Sequence, residues 1–178
     1  MDSHVNKRGG NLTGKYGPFE IRDGQIMTGS SEKIDFCVQR PDGPPLSNNS
    51  SRDLSAWAVT EYNNGSSFDT NTGIFTAPKA GKYRFSTSMA ISLGGSPASG
   101  NVFLTLITQL PGGPMLFRRR SFVAFSTSAL LTSSISFSAE IYLSKGEICF
   151  LRLDNQSGQP VSISIGDQAS YLCGELIG

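Results

Sequence analysis

The chain has 178 residues, a formal net charge of +1 and 16% charged side chains. This near-neutral balance, without a basic field, argues against a nucleic-acid partner, whose phosphates need clustered Lys and Arg. No apolar run approaches the roughly 20 residues of a membrane-spanning helix. Ser, Gly, Thr and Phe are frequent, so the composition predicts a single all-β head with many turns and an ordinary core.

Residues 1–31 are polar and glycine-rich, with neither the apolar segment of a secretory signal nor a Gly-x-y repeat. We expect them to form an N-terminal arm that is either flexible or anchored to a partner. The globular head is expected at residues 32–178.

A period-two alternation of apolar side chains predicts the strands of the head. Residues 46–55 are predicted to form a loop, and Asn63, Asn64 and Gly65 are typical of a hairpin turn. The predicted strands are 34–40, 56–59, 83–91, 102–107, 116–125, 134–143, 147–153, 161–165 and 171–177. About ten short strands at this spacing describe a two-sheet β-sandwich of the jelly-roll type.

Residues 68–85 organise the rest of the head. Turn residues between Asp69 and Gly73 bring two short strands to a corner, and a half-buried central strand begins at Tyr83. We predict that the core is anchored by large side chains around this corner and by one glycine. These anchors are Trp57, Phe68, Phe75, Gly81, Tyr83 and Phe85.

The spacing of one residue set resembles the signature of the globular head of the complement C1q family: Asn63, Phe68, Phe75, Gly81, Tyr83 and Phe85. Two positions depart from that signature, since Trp57 stands where the family usually has Phe and Thr87 stands where it has an aromatic side chain. Residues 34–40, 143–153 and 170–178 are also similar to strands of this family. The resemblance implies a jelly-roll head that assembles as a homotrimer.

The strand at residues 102–107 gives a second reason to expect an oligomer. It is apolar on both faces, because Phe103 and Ile107 point away from the other apolar side chains of the strand. One face meets the second sheet, so the outer face needs another partner, most simply a second copy of the chain. The predicted trimer interface contains Phe103, Ile107 and Tyr171.

Three consecutive arginines alternate across the predicted strand 116–125. One interpretation is a solvated edge strand that resists aberrant pairing; the other is a contact to a carboxylate, sulfate or phosphate group. The predicted ligand contacts are Arg118, Arg119, Arg120, Ser66, Ser96 and Asp167. An alternative role for Asp167 is that of a calcium ligand.

Catalytic chemistry is not indicated. The one histidine, His4, lies in the arm, and no pair of acidic residues is marked out by the sequence. Cys37, Cys149 and Cys173 lack metal-ligand spacing and are predicted to be buried free thiols, with a Cys149–Cys173 disulfide as the alternative. No cofactor is expected apart from calcium in the alternative above.

The sequence therefore predicts a non-enzymatic, trimeric C1q-like head that binds a protein or glycan partner through exposed loops. Two alternatives stay open. The first is a structural subunit of a larger assembly, such as a virion surface, capsid decoration or fibre protein, anchored by its arm. The second is a cytokine like tumour necrosis factor. The resemblance implies an extracellular location, whereas the missing secretory signal favours a virion or assembly surface.

Overall fold

The computed structural model describes residues 14–16, 19–22, 25–28, 33–40, 43–95, 99–126, 132–163 and 170–178. These residues contain no helix, and therefore none with the length and hydrophobicity that a membrane crossing needs.

The chain divides into two compact units, Met1–Lys33 and Ile34–Gly178. Within the first unit, three short strands form an antiparallel sheet in the order β1 (Gly14–Tyr16), β2 (Phe19–Arg22) and β3 (Gln25–Thr28). No paired strands were expected here, because segments of three or four residues are too short to display alternation. The anchoring of residues 1–31 to a partner stays a prediction.

The second unit is a sandwich of two antiparallel sheets. Its described strands are β4 (Asp35–Gln39), β5 (Ser50–Asp53), β6 (Ala58–Asn64), β7 (Phe68–Asp69), β8 (Ile74–Thr76), β9 (Gly81–Leu93), β10 (Gly100–Gln109), β11 (Met115–Phe125), β12 (Thr132–Leu143), β13 (Ile148–Gln156), β14 (Val161–Ile163) and β15 (Tyr171–Leu176). Sheet 1 has the order β11-β10-β13-β8-β7, with β5 also paired to β13. Sheet 2 has the order β12-β9-β15-β4-β6, with β14 also paired to β9.

An aromatic cluster fills the space between the sheets. The ring of Phe36 stacks on that of Phe68 with centroids 4.5 Å apart, and it lies 5.3 Å from the ring of Phe75. Phe75 in turn meets Tyr83 and Phe85 edge-on, a geometry that favours aromatic pairs beyond the area they bury. All six residues predicted as anchors are buried: Trp57, Phe68, Phe75, Gly81, Tyr83 and Phe85.

Strand β9 lies inside sheet 2, between β12 on one side and β15 and β14 on the other. Its odd-numbered residues from Gly81 to Leu93 are buried, while the even-numbered residues are exposed or half-buried. The predicted alternation from Tyr83 to Ile91 is therefore confirmed, because successive side chains of a strand point to opposite faces.

Two predictions of local structure were wrong. Residues 46–55 were predicted to be a loop, but Ser50–Asp53 forms β5 and pairs with Arg152–Asn155; all four residues of β5 are polar, so no hydrophobic alternation marks it. Asn63–Gly65 was predicted to be a hairpin turn. Strand β6 instead pairs with β4 in sheet 2 and β7 pairs with β8 in sheet 1, so this turn joins the two sheets.

The prediction of buried free thiols was wrong for Cys37 and Cys173 and is confirmed for Cys149. Cys37 and Cys173 form a disulfide and lie directly opposite one another on β4 and β15. The two cysteines are 136 residues apart in the sequence. Their pairing could not be predicted because it depends on which strands become neighbours in the sheet. Cys149 is free and buried, which excludes the alternative Cys149–Cys173 bridge. Burial raises the pKa of the Cys149 thiol, so the group stays protonated.

Replacement of Gly174 by Ala is expected to destabilise the head by about 1–3 kcal/mol, the usual cost of overpacking a core. A β-carbon at this position would lie 2.8 Å from Cζ of Phe36 and 3.0 Å from Cδ1 of Phe85. Urea unfolding measures the loss. The control is Gly94→Ala, whose β-carbon would meet only Pro160, at ordinary contact distances. Equal stability of the two variants would contradict the tight packing at Gly174.

Candidate functional site

The outer face of sheet 1, which points away from sheet 2, includes alternate residues of β10. Phe103, Thr105 and Ile107 lie outside the hydrophobic core cluster, whereas the residues between them belong to it, so these three point outward. Their cross-strand partners extend the same face onto both neighbouring strands. Phe122 and Asp154 flank Phe103, Arg120 and Arg152 flank Thr105, and Phe117 and Phe150 flank Ile107.

A β-bulge separates the three consecutive arginines of β11. The register between β10 and β11 shifts between Leu106 and Ile107, and Arg118 is the extra residue on β11. Arg120 consequently lies on the outer face, and Arg119 lies on the opposite side of the strand, across from Leu106. The simple alternation predicted for these arginines is replaced by three separate environments.

Arg118 belongs to a hydrogen-bond network around the buried carboxylate of Glu147. Its Nε donates to Oγ1 of Thr108 at 2.8 Å, and its Nη2 donates to Oε1 of Glu147 at 3.2 Å. The backbone N–H of Ser144 donates to Oε2 of Glu147 at 3.0 Å. Burial raises the pKa of this carboxyl, but the hydrogen bonds from Ser144, Thr108 and Arg118 outweigh burial and hold the pKa below its ordinary value.

Arg120 and Arg119 differ in whether they have a partner. The guanidinium of Arg120 lies 3.9 Å from the ring centroid of Phe103 and 3.4 Å from Oδ2 of Asp154, a cation–π contact combined with an ion pair. Arg119 forms neither a hydrogen bond nor an ion pair within the described ranges. Of the three arginines, Arg119 is therefore the one whose charge is available to a ligand.

Exposed apolar side chains are concentrated on the hairpin of β10 and β11. We call this group the hairpin patch: Leu110, Met115, Leu116, Phe117 and Phe122. Phe117 is 65% exposed and Phe122 is 60% exposed. The only other large apolar side chains that are exposed in the described part of the chain are Tyr142, on β12, and Ile177. Strands β11 and β12 lie side by side at one edge of the sandwich.

The hairpin patch was missed from the sequence. Phe117 and Phe122 were assigned to a strand but not to a surface. Simple alternation places them on opposite faces of β11, and the bulge between them brings both to the outer face. The available signal was the presence of phenylalanines on both sides of three arginines, since arginine and aromatic side chains together are enriched at protein interfaces.

The predicted trimer-interface residues do not share one face. Ile107 is fully buried within the subunit, whereas Phe103 is half-buried and its ring lies tilted against that of Phe122, with centroids 5.8 Å apart. Ile107 therefore gives no reason to expect a neighbouring subunit. Tyr171 lies on the outer face of sheet 2, between Gln39 and Ser88.

A groove of about 270 Å³ lies on that outer face of sheet 2. It is lined by Tyr62, Arg84, Ser86, Cys173, Gly174 and Glu175. Arg84 pairs with Glu140 at 2.8 Å and with Glu175 at 3.3 Å. Hydrogen bonds from Lys82 and Arg84 hold the pKa of Glu140 below its ordinary value. The ring of Tyr62 beside these compensated charges makes the groove an amphipathic surface.

A second groove, of about 560 Å³, runs beside the predicted contact Ser66 along β7 and β8. Ser66 has a φ of 48°, a backbone region that non-glycine residues rarely adopt. Hydroxyl groups, together with the carboxylate of Asp69, give the groove its polar lining. The other predicted loop contacts, Ser96 and Asp167, lie outside the described residues, as does the alternative calcium site at Asp167. Within the described ranges no three His, Cys, Asp or Glu side chains form a group that could hold a metal.

The sequence model of the C1q domain matches residues 36–177, which is most of the chain and almost all of the second unit. The chain belongs to the C1q domain family. This confirms the resemblance derived from the aromatic and glycine spacing. No curated protein sequence matches the chain.

Solved structures share the fold of this C1q domain. Eiger TNF from S. frugiperda superposes with a TM-score of 0.63 at 11% identity, covering 83% of this chain and 94% of that one. Murine APRIL gives a TM-score of 0.61 at 10% identity, covering 82% and 99%. The globular domain of zebrafish complement 1qA gives 0.56 at 18% identity, covering 83% and 98%. At these identities the likeness establishes the fold alone, and it confirms the predicted jelly-roll sandwich.

Glu147→Gln is expected to destabilise the C1q domain by about 1–3 kcal/mol at pH 7, because it removes the charge that accepts the buried hydrogen bonds. The folded-state pKa of Glu147 lies below its ordinary value of 4.5. Its contribution is therefore complete above pH 4.5 and disappears as the pH falls through the lowered folded-state pKa. Urea unfolding of wild type and E147Q from pH 7 downward should show the two converging.

The matched control for this prediction is Glu61→Gln, at an exposed carboxylate, which should leave stability unchanged across the same range. A constant difference between wild type and E147Q at every pH would show that the charge of Glu147 does not stabilise the network.

Proposed function

We propose that this C1q domain is the head of a cyclic homotrimer that binds a protein or glycan partner and has no catalytic role. The observation that supports the assembly is the hairpin patch, with two phenylalanines more than half exposed. Monomeric proteins seldom leave such side chains together in water unless the surface binds something. Aromatic side chains next to arginine are also the composition of the residues that dominate protein interfaces.

A cyclic trimer requires two different surfaces on each subunit, because a head-to-tail contact joins one patch to another and does not join a patch to itself. We assign the hairpin patch as the first surface and the groove on the outer face of sheet 2 as the second. The groove can accept an aromatic side chain between Tyr62 and Arg84. In this arrangement Phe103 and Tyr171 both belong to the interface although they lie on different sheets, and Ile107 supports Phe117 from below.

The external partner is proposed to bind in the groove beside Ser66. In sheet 1 the strands β7 and β8 lie at the opposite edge from β11, so this groove stays open when the hairpin patch is covered. Its lining combines hydroxyl groups with the apolar side chains of Ile74, Pro78 and Ile148, which suits a glycan or a loop that offers both polar groups and an apolar face. Three equal grooves on one trimer would raise avidity by a factor of about 10²–10⁴ over one site. Arg119 lies on β11, at the other edge of sheet 1, and is proposed as a separate contact, outside this groove, to an anionic group of the partner.

The alternative of a structural subunit is favoured by one observation, the division of the chain into a small N-terminal unit and the C1q domain. In that role the first unit would attach the trimer to an assembly and the groove would have no external ligand. The similarity to TNF proteins, at 10–11% identity, shows a shared fold. It does not support a cytokine function for this chain.

The double variant Phe117→Ser, Phe122→Ser is expected to be a monomer at micromolar concentration, whereas the wild type is a trimer. Light scattering coupled to size-exclusion chromatography measures the mass, and circular dichroism verifies that the variant is folded. Ile177→Ser, at an exposed apolar residue outside the patch, should remain a trimer. A monomeric wild type would refute the assembly. A trimeric double variant would refute the role of the hairpin patch.

Thr76→Arg is expected to abolish partner binding, because Thr76 is exposed and lines the groove beside Ser66. Protein and glycan arrays probed with the labelled trimer measure binding. The matched control is Ser51→Arg, which adds the same side chain at an exposed position of β5 outside the groove. Equal loss in both variants would argue against this groove, and no array ligand for wild type would favour the structural role.

A further inference from the structure

The Cys37–Cys173 disulfide lies on the outer face of sheet 2, where it is partly open to solvent. The two cysteines stand directly opposite one another on β4 and β15. Both are half-buried, and Cys173 lines the groove of about 270 Å³ on this face. An exposed disulfide is opened by an external thiol more readily than one in a core, because the rate of exchange depends on access to the sulfurs.

The two strands stay joined without this disulfide. Five residue pairs of an antiparallel ladder connect β4 and β15, and the backbone N–H of Arg40 continues the contact by donating to the oxygen of Ser170 at 2.9 Å. β4 also pairs with β6, and β15 also pairs with β9. A disulfide that closes a long loop stabilises mainly by restricting the unfolded chain, so its opening should lower Tm and leave the folded sheet in place.

The neighbours of the disulfide make its two sulfurs unequal. The strand register places Tyr62, Cys37, Cys173 and Ser86 in one row across the sheet. A thiolate attacks a disulfide in line with the sulfur–sulfur bond, from the side opposite the sulfur that leaves. The approach to Sγ of Cys173 passes over the small side chain of Ser86 and is open, whereas the approach to Sγ of Cys37 meets the aromatic residue Tyr62.

We propose that Cys37–Cys173 is a reversible thiol–disulfide exchange site, which a small thiol of the glutathione class opens at Cys173 from the groove. The thiolate sulfur of the small molecule bonds to Sγ of Cys173, and the bond between the two cysteines breaks. Sγ of Cys37 leaves as a thiolate and takes a proton from water. Attack of the Cys37 thiolate on the mixed disulfide reverses the step and releases the small thiol, so the modification is not permanent.

The first test uses the full wild-type chain without denaturant. It is incubated briefly with glutathione, free thiols are then blocked with iodoacetamide, and both groups are located by peptide mass spectrometry. We expect glutathione on Cys173 and the blocking group on Cys37, with an unchanged circular dichroism spectrum. Cys149 is free and buried, so it should carry neither group and reports any unfolding. No opening of the disulfide in the folded chain, or glutathione on Cys37 in place of Cys173, overturns the proposal.

The second test blocks the open approach. Ser86→Phe is expected to slow the reaction with glutathione about tenfold, because an aromatic ring then covers the path to Cys173. The matched control is Ser92→Phe, which adds the same ring at a half-buried position on the same face of β9 and should react like the wild type. Circular dichroism verifies that both variants are folded. Equal rates in the wild type and Ser86→Phe overturn the proposed direction of attack.

One consequence rests on the proposed function, in which a neighbouring subunit fills this groove and covers Cys173. Opening should then be about tenfold slower in the wild-type trimer than in the monomeric Phe117→Ser, Phe122→Ser variant. Equal rates, with a wild type that light scattering shows to be a trimer, refute the groove as the second assembly surface. The exchange site is judged separately, by the position of the glutathione, and a monomeric wild type leaves that expected position unchanged.

Discussion

The packing of Phe36 against Phe68 and Phe75 is the contact on which the head depends. Phe36 comes from sheet 2 and its two partners come from sheet 1, so these rings join the layers of the sandwich. The close approach requires a residue without a side chain at Gly174, on the strand next to β4. Because the same strand pair carries the Cys37–Cys173 disulfide on its other face, one short region contributes to the core, to a covalent link and to the floor of the sheet 2 groove.

The β-bulge on β11 has the next largest consequence, and it acts on the surface. Without the extra residue, Arg118 and Arg120 would point to the same face. With it, Arg118 enters the network of Glu147, Arg120 covers Phe103, and Arg119 is left available. One irregularity of register therefore places three consecutive arginines in three environments, which are a buried hydrogen-bond network, a cation–π contact and a surface position without an ion pair among the described residues.

The three surfaces of the head are compatible because they lie on different parts of the sandwich. The hairpin patch lies at the edge formed by β11 and β12, the amphipathic groove lies on the outer face of sheet 2, and the groove beside Ser66 lies at the far edge of sheet 1. A jelly-roll subunit can in this way use an edge and a face to contact two neighbours and keep a further edge for a partner.

Prediction from the sequence succeeded where local periodicity coincides with burial. The central strand from Tyr83 and the family signature both follow from alternation and from the spacing of aromatic residues. Strand β5 was missed because polar residues at a sheet edge carry no such pattern. The hairpin patch was missed because the facing of Phe117 and Phe122 depends on a bulge that neither residue encodes by itself.

The sequence by itself determined the class of fold, the residues of the core and membership of the C1q domain family, because each of these depends on the order and spacing of apolar side chains along the chain. Only the tertiary structure decided which cysteines are bonded and which arginine is free. Those properties depend on contacts between strands far apart in sequence, such as Cys37 with Cys173, whose adjacency arises only when the two sheets are assembled.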